Sequence, residues 1–361
     1  MNAEAATVSR QHDGAISTIQ EFSNPSAFWG TGIEAVIEKA YRECFKTYIL
    51  NGMIMTLRVP FAQNNERAAV AGSDLIIVGD GKAGPQFIWD QIDDILASDD
   101  FAAYEKILKD KREKVLIFDL PEKQWSVSRD LFDIARMKTG FYRPLPHKPY
   151  VFSSGNNYAA ADVYNYLYCI GRIGMDCSGF VWYILSRAAQ AGGIDLERRL
   201  DRLLPPARAV NPAFYVGTSF FNSKSAEFLQ IEDKIHNLRP GDVMLFRDKD
   251  GTMAHSAVIQ SVDLETGIVR YFQCTDEAPY KERGVHESVI RFDPEKKELS
   301  LKDKSLLWSQ ARFPPFPGET PSAYSTDGER YRAFPEFGAG KIVRLRAIAE
   351  IVGRIRLAED R

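Results

Sequence analysis

At 361 residues the chain can hold one large domain or two ordinary ones, since domains usually contain about 100 to 200 residues. Its composition, with 45% hydrophobic and 26% charged residues, is that of an ordinary globular protein. The formal net charge of -3 gives no general attraction to nucleic acid or to anionic membranes, so we expect no nucleic-acid partner. The apolar runs fall far short of the roughly 20 residues of a membrane-spanning helix.

Hydrophobic periodicity indicates that the first 150 residues form an accessory α/β region of unknown role. It predicts a helix over 33–50, a strand over 74–78, helical stretches over 87–109 and a strand over 114–118. The amino terminus lacks the charged start and apolar core of a secretory signal. As it stands, the chain is expected in the cytoplasm, or in the periplasm or cell envelope if a leader has been removed.

The remaining residues, 151–361, carry the chemical signals and are assigned to a second domain. A stretch over 143–157 that contains Pro, Ser and Gly suits the boundary. Within the domain, the segment from about 193 to 236 has the position of an insertion. Over 341–357 the apolar residues fit a helix about as well as a strand, and both assignments stay open.

Cys177 is the strongest candidate for a reactive group. Apolar residues recur at helical spacing after it until Gly192 and Gly193, so Cys177 should open a helix. Unpaired N–H groups and the positive end of the helix dipole favour the thiolate there. The usual alternative is a buried cysteine that acts as a small apolar residue. The four cysteines contain no CxxC pair, which argues against a structural metal site, and no metal or cofactor is expected.

His255 is the favoured base because of where it lies. A Pro-Gly turn leads into a strand at 238–246, and a second strand opens at Ala254 and His255. A histidine at the edge of a sheet that packs against the cysteine helix can reach the thiol. The other histidines, His12, His147, His236 and His286, lie in contexts that look like loops or have no pattern.

The run Tyr168-x-x-Gly171, DCSGFV at 176–181, LRPGDVMLF at 238–246 and AHSAVI at 254–259 together resemble NlpC-type cell-wall cysteine peptidases of the papain-like superfamily. The resemblance covers about residues 158–291. It implies an α+β papain-like core, in which a helix bearing the cysteine packs on an antiparallel sheet. It also implies hydrolysis of peptidoglycan stem peptides, typically at the γ-D-glutamyl-diamino acid bond.

By the same resemblance, Cys177 is the nucleophile and His255 the base. Asp176 and Ser178 are expected to hold the amino end of the stem peptide. Tyr168, or Tyr166 nearby, is expected to border the oxyanion site, with core packing as the alternative for either tyrosine.

The chain departs from the family in three ways. Residues 193–236 lengthen the segment between nucleophile and base, Ser256 stands where an apolar residue is usual, and the next strand has no second histidine. For the third catalytic position, strand alternation favours Gln273, which lies diagonally from His255 if Ala257 opposes Gln273. Asp276 is the rival if Asp263 opposes Ile268 across the turn.

Two other functions stay open on the same scaffold, because fold does not fix reaction. One is an acyltransferase or amidase acting on a small molecule, which a closed apolar groove around Cys177 would favour. The other is a non-catalytic binding module, which an inert Cys177 would favour. The sequence leaves the oligomeric state open, along with the scissile bond.

Overall fold

The computed structural model describes residues 32–50, 53–61, 85–99, 101–102, 116–117, 150–151, 163, 167, 174–204, 216–247, 251–275, 284–311, 324–325 and 340–359. The helices in these ranges are α1 (Ile33–Arg42), α2 (Pro85–Leu96), α3 (Cys177–Ala191), α4 (Leu196–Leu200), α5 (Thr218–Phe221) and α6 (Arg346–Glu359). The strands are β1 (Phe45–Leu50), β2 (Met53–Arg58), β3 (Leu116–Ile117), β4 (Tyr150–Val151), β5 (Phe228–Ile231), β6 (Val243–Arg247), β7 (Met253–Asp263), β8 (Ile268–Thr275), β9 (Gly284–Arg291), β10 (Leu307–Ala311), β11 (Tyr324–Ser325) and β12 (Lys341–Leu345). Short 3₁₀ turns occupy Ile235–Asn237 and Pro294–Lys296.

Eight strands form one antiparallel sheet in the order β11-β10-β9-β8-β7-β6-β12-β5, with helices packed against it. The predicted α+β class is therefore confirmed. Strands β6 to β11 follow one another both along the chain and across the sheet, as expected for antiparallel neighbours. Strand β12 returns from the end of the chain to lie between β6 and β5. None of the helices in the described ranges is long and apolar enough to cross a membrane.

The two faces of the sheet contribute to different apolar clusters, because side chains alternate along a strand. Val258 and Phe272 point to the face covered by α1 and α3, in the larger cluster. Ala257 and Tyr271 point to the other face, in a second cluster that the sheet forms with the flanking turns. Burying one such side chain contributes about 1.5 to 3 kcal/mol, so both faces help to hold the sheet.

The amino-terminal elements share the core of the large sheet. The Tyr41 ring of α1 stacks on Phe272 of β8 with centroids 3.8 Å apart. After β2, the Pro60 carbonyl accepts from Met175 N–H at 2.9 Å and the Val59 carbonyl accepts from Val285 N–H at 3.1 Å. Residues 58–61, here called the bridging segment, therefore connect β9 to the residues just before α3. The domain boundary near residue 150 stays a prediction.

Two predicted elements are corrected. The helix predicted over 33–50 ends at Arg42, and residues 45–50 form β1 instead. Aromatic and β-branched side chains in that stretch favour a strand, which pairs with β2 along its whole length. The ambiguous stretch over 341–357 contains both structures, because β12 ends at Leu345 and α6 begins at Arg346.

The other predicted elements agree to different extents with the structure. Helix α2 begins at Pro85, a residue well suited to a first helical turn, and ends at Leu96 within the predicted helical stretches. Strand β3 lies inside the strand predicted over 114–118. The strand predicted over 74–78 lies outside the described residues. The segment from 193 to 236, which is predicted from the sequence to be an insertion, contributes α4, α5 and β5.

Candidate active site

Helix α3 begins at Cys177, as the sequence predicts, and Asp176 is its N-cap. One Asp176 carboxylate oxygen accepts from Gly179 N–H at 2.5 Å, and the other accepts from the Ser178 hydroxyl at 3.0 Å. Such a cap satisfies donors that a helix leaves unpaired at its first turn. Asp176 and Ser178 therefore fix the start of the helix that presents Cys177, and both are themselves buried.

The Asp176 carboxyl is in an unusual electrostatic environment. Burial raises its pKa well above the ordinary value, and the neighbouring Cys177 raises it further. The two hydrogen bonds from Gly179 and Ser178 oppose this rise in pKa, as does the charge of His255. Cys177 and His255 thus both lie within electrostatic range of one carboxyl group.

His255 and Gln273 form a direct hydrogen bond on neighbouring strands, and each is only 1% exposed. Gln273 Oε1 lies 2.6 Å from His255 Nε2, while Gln273 Nε2 donates to the Ser288 hydroxyl at 2.8 Å. Because the amide nitrogen is used on Ser288, the amide oxygen faces the histidine and must accept from Nε2–H. This tautomer leaves Nδ1 of neutral His255 as the basic nitrogen.

The register between β7 and β8 explains why Gln273 is the partner. At the turn Asp263 opposes Ile268, the pairing that would favour Asp276. The register then shifts between Ile259 and Ser261, and beyond this bulge Val258 opposes Phe272. That second register puts Gln273 diagonally from His255, so the predicted contact is present. Its catalytic role stays a prediction, and Asp276 lies outside the described residues.

Cys177 and His255 lie at the same end of the sheet. Cys274 is the penultimate residue of β8. Its thiol donates to the Met175 carbonyl at 3.2 Å, and this contact holds the residues that precede α3. His255 is near the start of β7, which is the neighbouring strand. Its side chain shares the face of Phe246, whose ring centroid is 5.4 Å away, whereas α3 packs on the opposite face. At this end of the sheet, the His255 side chain and the helix that carries Cys177 therefore lie on opposite faces.

Thr218 is a site residue that the sequence interpretation missed. Its Oγ1 lies 3.8 Å from Cys177 Sγ, and both side chains are buried. Thr218 comes from α5, within the predicted insertion. The long separation between Cys177 and His255 was the available signal, but it could not indicate which inserted residue returns to the thiol.

From the sequence alone, His286 was placed among the histidines in contexts that look like loops or have no pattern. In the structure His286 lies within β9 and directly opposes Gln273. Its Nδ1 is 3.1 Å from the Gly284 carbonyl, so Nδ1 carries the proton and Nε2 accepts from Arg58 at 2.9 Å. Burial lowers the pKa of His286 well below its ordinary value, and the Arg58 guanidinium lowers it further. A neutral histidine and a fully buried arginine thus lie beside the His255–Gln273 pair.

The remaining predicted residues, Tyr166 and Tyr168, lie outside the described residues. Within the part of the chain that the structure describes, no group of three or more His, Cys, Asp or Glu side chains is arranged to hold a metal ion. Comparisons of this chain with protein-family models, curated proteins and solved structures gave no significant match.

Proposed function

We propose that the protein is a cysteine hydrolase with a papain-like core, in which Cys177 attacks an amide bond of a peptidoglycan stem peptide. The observation that carries the proposal is the 2.6 Å hydrogen bond between His255 and Gln273 at the end of the sheet where the Cys177 helix begins. A histidine held in one tautomer by a neutral amide is suited to accept and return a proton. The cysteine helix packed on antiparallel strands supports the papain-like core that the resemblance implies.

The reaction would proceed through an acyl-enzyme. His255 Nδ1 takes the Cys177 proton, and the thiolate forms a bond to the amide carbonyl carbon. When the carbon–nitrogen bond breaks, the imidazolium gives that proton to the leaving amine. Water then loses a proton to His255 and attacks the thioester, and the regenerated thiolate leaves with the free acid as the other product. The Cys177 backbone N–H, at the start of α3, is a candidate donor to the developing oxyanion.

The chemistry of the helix cap supports a substrate with a free amino end. The Ser178 hydroxyl donates to the Asp176 carboxylate, and its oxygen can also accept a hydrogen bond. An ammonium group there would favour the ionised carboxyl, which burial disfavours. The expected scissile bond is the γ-D-glutamyl-diamino acid bond that the family resemblance implies.

A second candidate function is an amidase or acyltransferase for a small molecule. It is favoured by the low exposure of Cys177, 8%, together with the Thr218 contact from the insertion. A small acyl donor can reach an enclosed thiol more readily than polymeric peptidoglycan can. The two functions differ in the acceptor: water completes the hydrolase reaction, whereas an amine completes acyl transfer.

The deciding experiment is incubation with purified stem tripeptides and tetrapeptides and with intact sacculi, followed by mass spectrometry of the products. We expect the short peptides with a free amino end to be cut faster than sacculi. Cys177→Ala should abolish product formation, and Cys44→Ala is the matched control because its thiol is also buried but contacts the Ala40 carbonyl of α1.

N-acetylation of the substrate tests the role assigned to Asp176 and Ser178, and it should slow cleavage at least about tenfold, the loss expected for one charge-assisted contact. Faster release from sacculi would contradict the preference for short peptides. No product from any peptide, with an added amine incorporated into a small acyl donor, would favour the second candidate instead.

A further inference from the structure

Helix α5 is held firmly against the core although it has only four residues. Phe221 is fully buried, and the Phe220 ring lies 6.0 Å from the ring of Trp182 on α3. At the end of α5, the Asn222 side-chain oxygen accepts from Lys341 Nζ at 2.9 Å. These contacts join α5 to both α3 and β12, so Thr218 at its start has a fixed position relative to α3.

The Thr218 hydroxyl is directed at the sulfur of Cys177. The Oγ1–Sγ distance of 3.8 Å is within the range of a hydrogen bond to sulfur, and water has little access because the two residues are only 7% and 8% exposed. A hydroxyl beside a protonated thiol can donate or accept, but beside a thiolate it can only donate. A buried donor favours the charged form of the group that accepts from it.

We propose that the Thr218 hydroxyl donates a hydrogen bond to the Cys177 thiolate and thereby stabilises the nucleophilic form of the sulfur. The inserted segment thus supplies a group that contacts the reacting atom. This inference rests on Cys177 being the nucleophile of the proposed function. It also assigns to the insertion a chemical role beyond shaping the substrate groove.

The test is the rate of Cys177 alkylation by iodoacetamide as a function of pH, measured on the intact chain. In this reaction the thiolate forms a bond to carbon and iodide leaves, so no peptide substrate is needed. Thr218→Val removes the hydroxyl and keeps the shape, whereas Thr218→Ser keeps the hydroxyl and loses the methyl group. Ser219→Ala is the control, because Ser219 is exposed on the same helix.

Thr218→Val should slow alkylation near neutral pH by about threefold to tenfold and displace the pH profile to higher pH, as expected from losing a donor to the thiolate. Thr218→Ser should restore the wild-type profile, and Ser219→Ala should not change it. An unchanged profile in Thr218→Val would overturn the proposal. Equal changes in the Val and Ser variants would also overturn it, because packing would then be the cause. If Thr218→Val does not fold, the Thr218→Ser variant decides alone. A wild-type pH profile in Thr218→Ser would then support the proposal, and an altered profile would overturn it.

Peptide cleavage measured on the same variants separates the two proposals. If alkylation responds to Thr218 but no stem peptide is cut, the thiolate contact stands and the proposed substrate fails. If peptides are cut by the wild type and alkylation does not respond, the hydrolase stands and the role of Thr218 fails.

Discussion

Replacing Gln273 with alanine tests the arrangement of the base most directly. The change removes two buried hydrogen bonds, to His255 Nε2 at 2.6 Å and to the Ser288 hydroxyl at 2.8 Å. Each buried group that loses its partner costs about 1 to 3 kcal/mol, so the free energy of unfolding should fall by about 2 to 6 kcal/mol. The imidazole would also lose the acceptor that fixes its tautomer, and turnover should fall by about tenfold to a hundredfold.

Three measurements belong together in this test. Urea denaturation gives the change in unfolding free energy, and stem-peptide hydrolysis gives the turnover. Nitrogen NMR of the His255 ring should show the Nε2–H tautomer in the wild type and a mixture of tautomers in Gln273→Ala.

Gln260→Ala is the matched control for Gln273→Ala. Gln260 is also a buried glutamine of the same hairpin, but its side chain accepts from Arg270 at 3.2 Å on the other face of the sheet. We expect Gln260→Ala to lower stability without changing the His255 tautomer. The reasoning fails if Gln273→Ala keeps the Nε2–H tautomer and full turnover, or if Gln260→Ala lowers turnover equally. A larger loss of turnover in Asp276→Ala than in Gln273→Ala would give the third position to Asp276.

Two further predictions concern titratable groups. Iodoacetamide should label Cys177 well before Cys44, Cys169 and Cys274, of which Cys44 and Cys274 are fully buried, and Cys177→Ala should stay folded. Equal labelling of the four thiols, measured by peptide mapping, would refute the assignment. Burial, together with the neighbouring guanidinium, keeps the pKa of His286 low in the folded state, whereas unfolded histidine takes up a proton below about pH 6.5. The free energy of unfolding of the wild type should therefore fall as pH drops below that value, by at most about 1.4 kcal/mol per pH unit from this group. His286→Gln should remove this contribution to the pH dependence. Identical pH dependence of unfolding in the wild type and in His286→Gln would contradict the prediction.

The local features of the site could be predicted from the sequence because each depends on neighbouring residues. The start of α3 at Cys177 follows from apolar spacing and from Asp176 as a cap. The His255–Gln273 contact follows from strand alternation, although the sequence could not show the bulge that selects it over the rival register. The bulge inserts one residue without a distinctive residue type to mark it.

Contacts between distant parts of the chain were not predictable in the same way. Thr218 reaches Cys177 because aromatic packing anchors α5 on α3. Arg58 reaches His286 because β2 ends beside β9. Neither pair has a periodicity that links its members along the sequence. The turn from α1 to β1 was missed for a related reason, since β1 forms by pairing with β2.

The bridging segment, residues 58–61, determines how the protein can be divided into fragments. A polypeptide that started at residue 151 would lack the backbone acceptors of Met175 and Val285 and the ring that stacks on Phe272. Such a fragment should fold poorly alone, since each orphaned buried N–H costs about 1 to 3 kcal/mol. A separately expressed peptide covering residues 32–61 supplies those groups. The two pieces should then associate and recover the thiol reactivity of Cys177 by fragment complementation.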